Sequence, residues 1–139
     1  MITRIYTTPQ VVIDYDASVP CLVATSFDFM MPAEFRAHLN FALDFMCEKI
    51  KETGKTMMWL PDTSASPVFD EESTKWSVED WTPRAVAAGI RHIGFVLPEN
   101  ELAQIALDDY KEGGVQAGMR VGFFKDVASA KQWFRELMS

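Results

Sequence analysis

The chain is short of the residues that most often announce a chemistry. It has two cysteines, Cys21 and Cys47, and two histidines, His38 and His92, among its 139 residues. Neither cysteine stands at a metal-ligand spacing or in a disulfide framework, so a zinc site and a disulfide-stapled scaffold are both excluded, and a reducing compartment is expected. No basic run occurs. With 20 Asp and Glu against 13 Lys and Arg, the net charge is -7 and the pI about 4.7, which argues against a nucleic-acid partner, since such proteins show a basic face. No apolar run approaches the roughly 18 residues of a membrane span, and the polar start Met1 to Gln10 lacks a signal core. The expected location is the cytoplasm. No glycine-rich loop follows a strand: Gly113-Gly114-Val115-Gln116-Ala117-Gly118 precedes one, contrary to what dinucleotide binding requires.

What is present is enough apolar residue, 48%, to bury one core in a chain of single-domain length, read as one domain over 1–139 with 1–10 as a polar N-terminal extension. Val11 to Tyr15 and Cys21 to Thr25, separated by the turn-forming Asp16-Ala17-Ser18-Val19-Pro20, predict a hairpin. Pro32 opens a helix whose buried face is Phe35, Leu39, Ala42, Leu43, Met46 and Ile50, and Gly54 closes it. Thr56 to Leu60 predicts a strand, followed by a long loop from Pro61 to Lys75 with no periodicity. Ser77 with Asp80 resembles a capping box, and Thr82-Pro83 offers a second helix start, so a helix broken near Pro83 and ended by Gly89 is expected. A strand at Ile93 to Leu97, a helix through Leu102, Ile105, Ala106 and Tyr110, a strand near Arg120 to Phe124, and a helix opened by Asp126 complete the chain. The order is β-β-α-β-α-β-α-β-α. It implies an α/β fold with a mixed sheet of about five strands, parallel in the middle, and an N-terminal antiparallel hairpin.

The hairpin, the long first helix, Trp59-Leu60, the segment Trp81-Thr82-Pro83-Arg84-Ala85-Val86-Ala87-Ala88-Gly89, the strand end Val96-Leu97-Pro98 and the closing Asp126-Val127-Ala128-Ser129-Ala130-Lys131-Gln132-Trp133-Phe134 together resemble the SpoIIAA-like group of small bacterial proteins. That group is related to the STAS domains of sulphate transporters and anti-sigma-factor antagonists, and its fold is also compared with the lipid-binding Sec14 domain. The resemblance implies a single SpoIIAA-like domain with a binding or regulatory role, and no catalytic residues. STAS-type antagonists are similar in placing a phosphorylatable serine after the central strand, in an Asp-Ser-Ser-Gly or Asp-Ser-Thr-Gly turn. This chain has Pro61-Asp62-Thr63-Ser64-Ala65-Ser66-Pro67 there, without the glycine. Ser64 and Ser66 are the phosphorylation candidates by position, and a phosphate on either would sit among Asp62, Asp70, Glu71 and Glu72.

Ligands of open α/β sheets bind outside the carboxyl ends of the parallel strands. That edge is expected to collect Ser26 and Asp28, then Asp62, Thr63 and Ser64, then Glu99 and Asn100, then Lys125 and Asp126. The same residue types also cap helices and make turns, which is the plainer reading of Asn100 and Asp126. Phe27, Phe29, Met30 and Met31 follow the second strand of the hairpin, while Phe69, Trp76 and Trp81 lie in or beside the long loop. They read either as the rim of the core or as an apolar pocket or dimer surface. The favoured function is therefore a non-enzymatic module that binds a protein partner or small apolar ligand through Phe27, Asp28, Phe29, Met31, Asp62, Ser64, Phe69, Trp76 and Trp81, with no cofactor and no metal. The alternatives are a small enzyme using Asp28 and Asp62 as an acid/base pair, a STAS-type phosphorylation switch, and a structural homodimer. His38, sharing a helix face with Glu34, reads as solvated, and His92 lies at the edge of the sheet opposite the loops.

Overall fold

A computed structural model describes residues 2–65, 70–97, 112 and 115–138. Its sheet has six strands that lie side by side in chain order: β1 (Ile2–Thr7), β2 (Val11–Asp16), β3 (Cys21–Ser26), β4 (Met58–Asp62), β5 (His92–Val96) and β6 (Arg120–Phe124). The first three are antiparallel and β3 to β6 run parallel. The hairpin of β2 and β3 is as expected; the strand count is not. Ile2–Thr7, read as a polar extension, pairs with β2 as a sixth strand. It is an edge strand and mostly exposed, and a register shift between Arg4 and Tyr6 breaks the alternation that would have marked it.

Among the described residues the helices are α1 (Pro32–Thr53), α2 (Glu71–Trp76), a π-helical turn (Ser77–Trp81), α3 (Thr82–Ala87) and α4 (Val127–Met138). α1 starts at Pro32, whose missing N–H costs nothing there, and ends where Gly54 takes a φ of 72° and its N–H bonds the Ile50 carbonyl. The loop after β4 is shorter than expected, because α2 begins at Glu71 with Asp70 as its N-cap, its carboxylate accepting from Ser73 N–H at 2.9 Å. The helix start expected at Ser77 is absent, and near Pro83 the run changes to a π turn rather than breaking. Ser77 lies inside one helical run from Glu71 to Ala87, and the π turn just before Pro83 lets that ring enter without a clash. The Ser77 carbonyl accepts the Thr82 N–H five residues on and the Thr82 hydroxyl at 2.9 Å. The helix predicted through Leu102 to Tyr110, and Gly113-Gly114, lie outside the described residues.

Right-handed crossovers that advance in one direction across a sheet leave their helices on one face. Accordingly α1 and the α2–α3 run cover the face bearing Val11, Ile13, Leu22, Ala24, Trp59, Ile93 and Phe95. α4 follows the last strand rather than connecting two, and it covers the opposite face, setting Ala130 and Phe134 on Cys21, Val23, Met58, Leu60 and Val96. Cys21 to Ala24 alternate between the two faces and are all buried, as a strand covered on both sides requires. Each large side chain fully buried in this way contributes about 1.5–3 kcal/mol.

Candidate functional site

The carboxyl edge of the parallel strands is built by three adjacent exits. β3 ends in Ser26 and runs into Phe27-Asp28-Phe29-Met30-Met31; β4 ends in Asp62 opposite Thr25, followed by Thr63 and Ser64; β5 ends in Val96 opposite Asp62. Thr63 anchors the corner, its N–H at 3.2 Å and its hydroxyl at 2.6 Å both donating to the Val96 carbonyl. Phe27 N–H donates to the Gln10 carbonyl at 2.8 Å, which fixes where the chain leaves β3. Met30 then turns into the core while its neighbours do not: Phe27 is 52% exposed, Phe29 42% and Met31 59%. Met31 N–H donates to Glu34 Oε1 at 3.1 Å, the return half of a capping box at the start of α1.

Behind this loop lies a cavity of ≈ 30 Å³, between the sheet, α1 and the π turn. Phe35, Leu39, Trp59, Trp81, Ile93 and Phe95 make it apolar, and Ser26, His38, Ser77 and Thr82 supply its polar atoms. Trp81 is fully buried, its indole N–H donating to the Leu39 carbonyl at 2.8 Å and its ring 5.7 Å from that of Trp59. The volume takes a group of the size of one or two waters, since a water needs about 10–15 Å³ by this measure.

His38 is the residue that sequence reasoning misplaced. It is 4% exposed rather than solvated, it lines the cavity, and its Nδ1 is buried without a hydrogen-bond partner. Burial drives its pKa down to about 4, against a smaller opposing effect from the Phe35 and Glu34 carbonyls. The imidazole is therefore neutral near pH 7, able to donate one hydrogen bond and accept one.

The other expected site residues are divided among separate tasks. Asp28 accepts from Phe29 N–H at 2.7 Å, and Asp62 accepts from Ser64 N–H at 3.1 Å and the Ser64 hydroxyl at 2.7 Å. Each carboxylate thus serves its own turn, and no hydrogen bond joins the two among the described residues. Trp76 lies between two cations, with the guanidinium of Arg36 at 5.2 Å and that of Arg84 at 5.9 Å from its ring centre. Arg84 also bridges to Asp80 at 2.8 Å and to Asn40 of α1 at 2.8 Å. This makes Trp76 the centre of a clamp between α1 and the α2–α3 run. Asp126 caps α4 by accepting from Ser129 N–H at 2.8 Å, and the Ser129 side chain, followed by that backbone bond, holds its carboxyl below the usual range. Ser66, Phe69, Glu99 and Asn100 lie outside the described residues.

Among the described residues no group of three or more His, Cys, Asp or Glu is placed to hold a metal ion, and no helix is long and apolar enough to cross a membrane. Comparison with known proteins finds no matching family profile, no matching curated protein and no matching solved structure.

Proposed function

We propose that this chain is a non-enzymatic binding or regulatory module on a SpoIIAA-like scaffold, and that it docks a protein partner on the apolar loop leaving β3. The observation that carries this reading is the exposure of Phe27, Phe29 and Met31 on one five-residue segment. Large apolar side chains gathered at one place on a surface are a common mark of an interface, and aromatics and Met are enriched there. The loop is held at both ends by the Phe27–Gln10 and Met31–Glu34 bonds, so little ordering cost would fall on association. An acid/base role for Asp28 and Asp62 finds less support, since catalysis of that kind needs both groups on one reacting centre.

A second reading is favoured by His38: a small apolar ligand whose hydroxyl-sized polar tip alone enters the cavity and meets the imidazole, its body staying at the mouth. The two readings separate in one experiment. A benzophenone amino acid placed at Phe29 should give a discrete photo-crosslinked adduct in cells, lost when Met31→Asp is added, while the same group at exposed Glu48 on α1 gives none. Equal adducts from both positions, or none from Phe29, would remove the protein-partner reading. Stabilisation by small aromatic alcohols, with a change in Trp59 and Trp81 fluorescence, would then support the ligand.

A further inference from the structure

The amino edge of the parallel strands carries a different chemistry from the carboxyl edge. Pro20 precedes β3, Lys55 and Thr56 precede β4, Arg91 precedes β5 and Arg120 opens β6. Two clefts of ≈ 450 Å³ and ≈ 360 Å³ lie along this edge and share Met138. Both are in the size range of small-molecule sites. Lys55 and Arg135 line the larger, Arg91 and Arg120 the smaller.

These four cations are exposed, and none forms an ion pair among the described residues. The pairs there engage Arg4, Arg36, Lys49, Arg84 and Lys131 instead. Asp16, close in sequence to the cleft residue Ser18, is already taken by Lys131 at 2.8 Å and by the Ser18 hydroxyl at 2.6 Å. In a chain of net charge -7, a trough lined by positive charge with no ion pair among the described residues runs against the whole. The carboxyl ends of α1, α3 and α4 offset part of it, but a helix end carries only about half a unit charge. His92, in the smaller cleft, has a buried Nδ1 with no partner. Burial and then the Arg120 charge hold its pKa below the ordinary value.

We propose that this trough binds a small organic phosphate. Arg91 and Arg120 stand at the starts of neighbouring strands, the Arg120 N–H bonding the Arg91 carbonyl at 2.8 Å. Both residues line the smaller cleft, where their guanidiniums would take the phosphoryl oxygens in the forked geometry that arginine suits. Lys55 and Arg135 add charge from the larger cleft, and Leu137 and Met138 give the non-polar body of the ligand an apolar floor. This site is independent of the carboxyl edge and stands whether or not the loop after β3 docks a partner.

The two histidines make the test direct. Phenyl phosphate added to the intact chain at fixed ionic strength should shift the imidazole NMR signals of His92 in a saturable way and leave those of His38 in place. Inorganic phosphate should bind more weakly, because it leaves the apolar floor unused. Arg91→Gln and Arg120→Gln, both at exposed positions, should each weaken phenyl phosphate by at least about tenfold, and Met138→Ser should bring it down to the level of inorganic phosphate. A linear shift at His92, a shift of equal size at His38, or unchanged affinity in the double arginine variant would overturn the proposal.

Discussion

His38 is a basic side chain placed where ionisation is costly. Its pKa falls from 6.5 in the open chain to about 4 in the fold, so between those values the unfolded chain takes up a proton that the native state refuses. The resulting stabilisation is complete above pH 6.5 and is lost as the pH falls toward 4, by about 3 kcal/mol at 1.36 kcal/mol per pKa unit. Urea unfolding at pH 7 and pH 4 should therefore differ by that much more in the wild type than in His38→Phe; equal losses in both would show that His38 contributes nothing. The sequence held half of this. His38 lies one turn after Phe35 and one before Ala42, on the stripe that α1 buries, so its position was legible. Its residue type pointed the other way, because Glu34 four residues earlier offered it a solvated partner, and only the packing of Trp59 and Phe35 around the ring decides against that. Trp81 was legible as an aromatic of consequence, yet its bond to the Leu39 carbonyl joins residues 42 apart and no local pattern contains it.

At the level of elements, periodicity in the sequence marks the regular segments and misses those with an irregularity. α1 with its Gly54 cap, the β2–β3 hairpin and α4 with its Asp126 cap follow undisturbed periods of 3.6 or 2. β1 hides behind its bulge, and the run from Glu71 to Ala87 hides behind five π-helical residues, which shift its apolar side chains off the α-helical spacing. Another element relation escapes periodicity altogether. Gly94 and Gly122 pair across β5 and β6 under α4, where a Cβ on Gly94 would meet Ala130 at 3.3 Å and one on Gly122 would meet the Phe124 ring at 2.7 Å. Phe124 in turn lies tilted against Trp133 of α4, the ring centres 5.2 Å apart. Gly122→Ala should push that ring off Trp133 and cost about 1–2 kcal/mol in denaturant unfolding, as overpacking does. Adding Phe124→Leu should recover part of the loss, and a Gly122→Ala protein as stable as the wild type would mean that the ring turns aside freely.

At the scale of the whole molecule, one long-range ion pair ties the antiparallel part of the sheet to the closing helix. Asp16 at the end of β2 pairs with Lys131 of α4 across 115 positions, with both side chains largely buried. Burial pushes the Asp16 carboxyl up, but Lys131 and Ser18 outweigh it and hold it below its usual 3.8. Its contribution is present above that value and is lost as the pH falls below it, a window under that of His38. Lys131→Met leaves the carboxylate without its cation and should cost about 3 kcal/mol, whereas pairing it with Asp16→Asn should return part of the stability and flatten the acid limb of the unfolding curve. If the single and double variants unfold alike, the pair carries no such weight. The sheet order has a consequence for synthesis. Because each strand lies beside the one made just before it, a ribosome delivers this sheet from one edge to the other. Every new strand meets a finished template and waits for none, while α4, made after all six strands, covers a face that stays open until then.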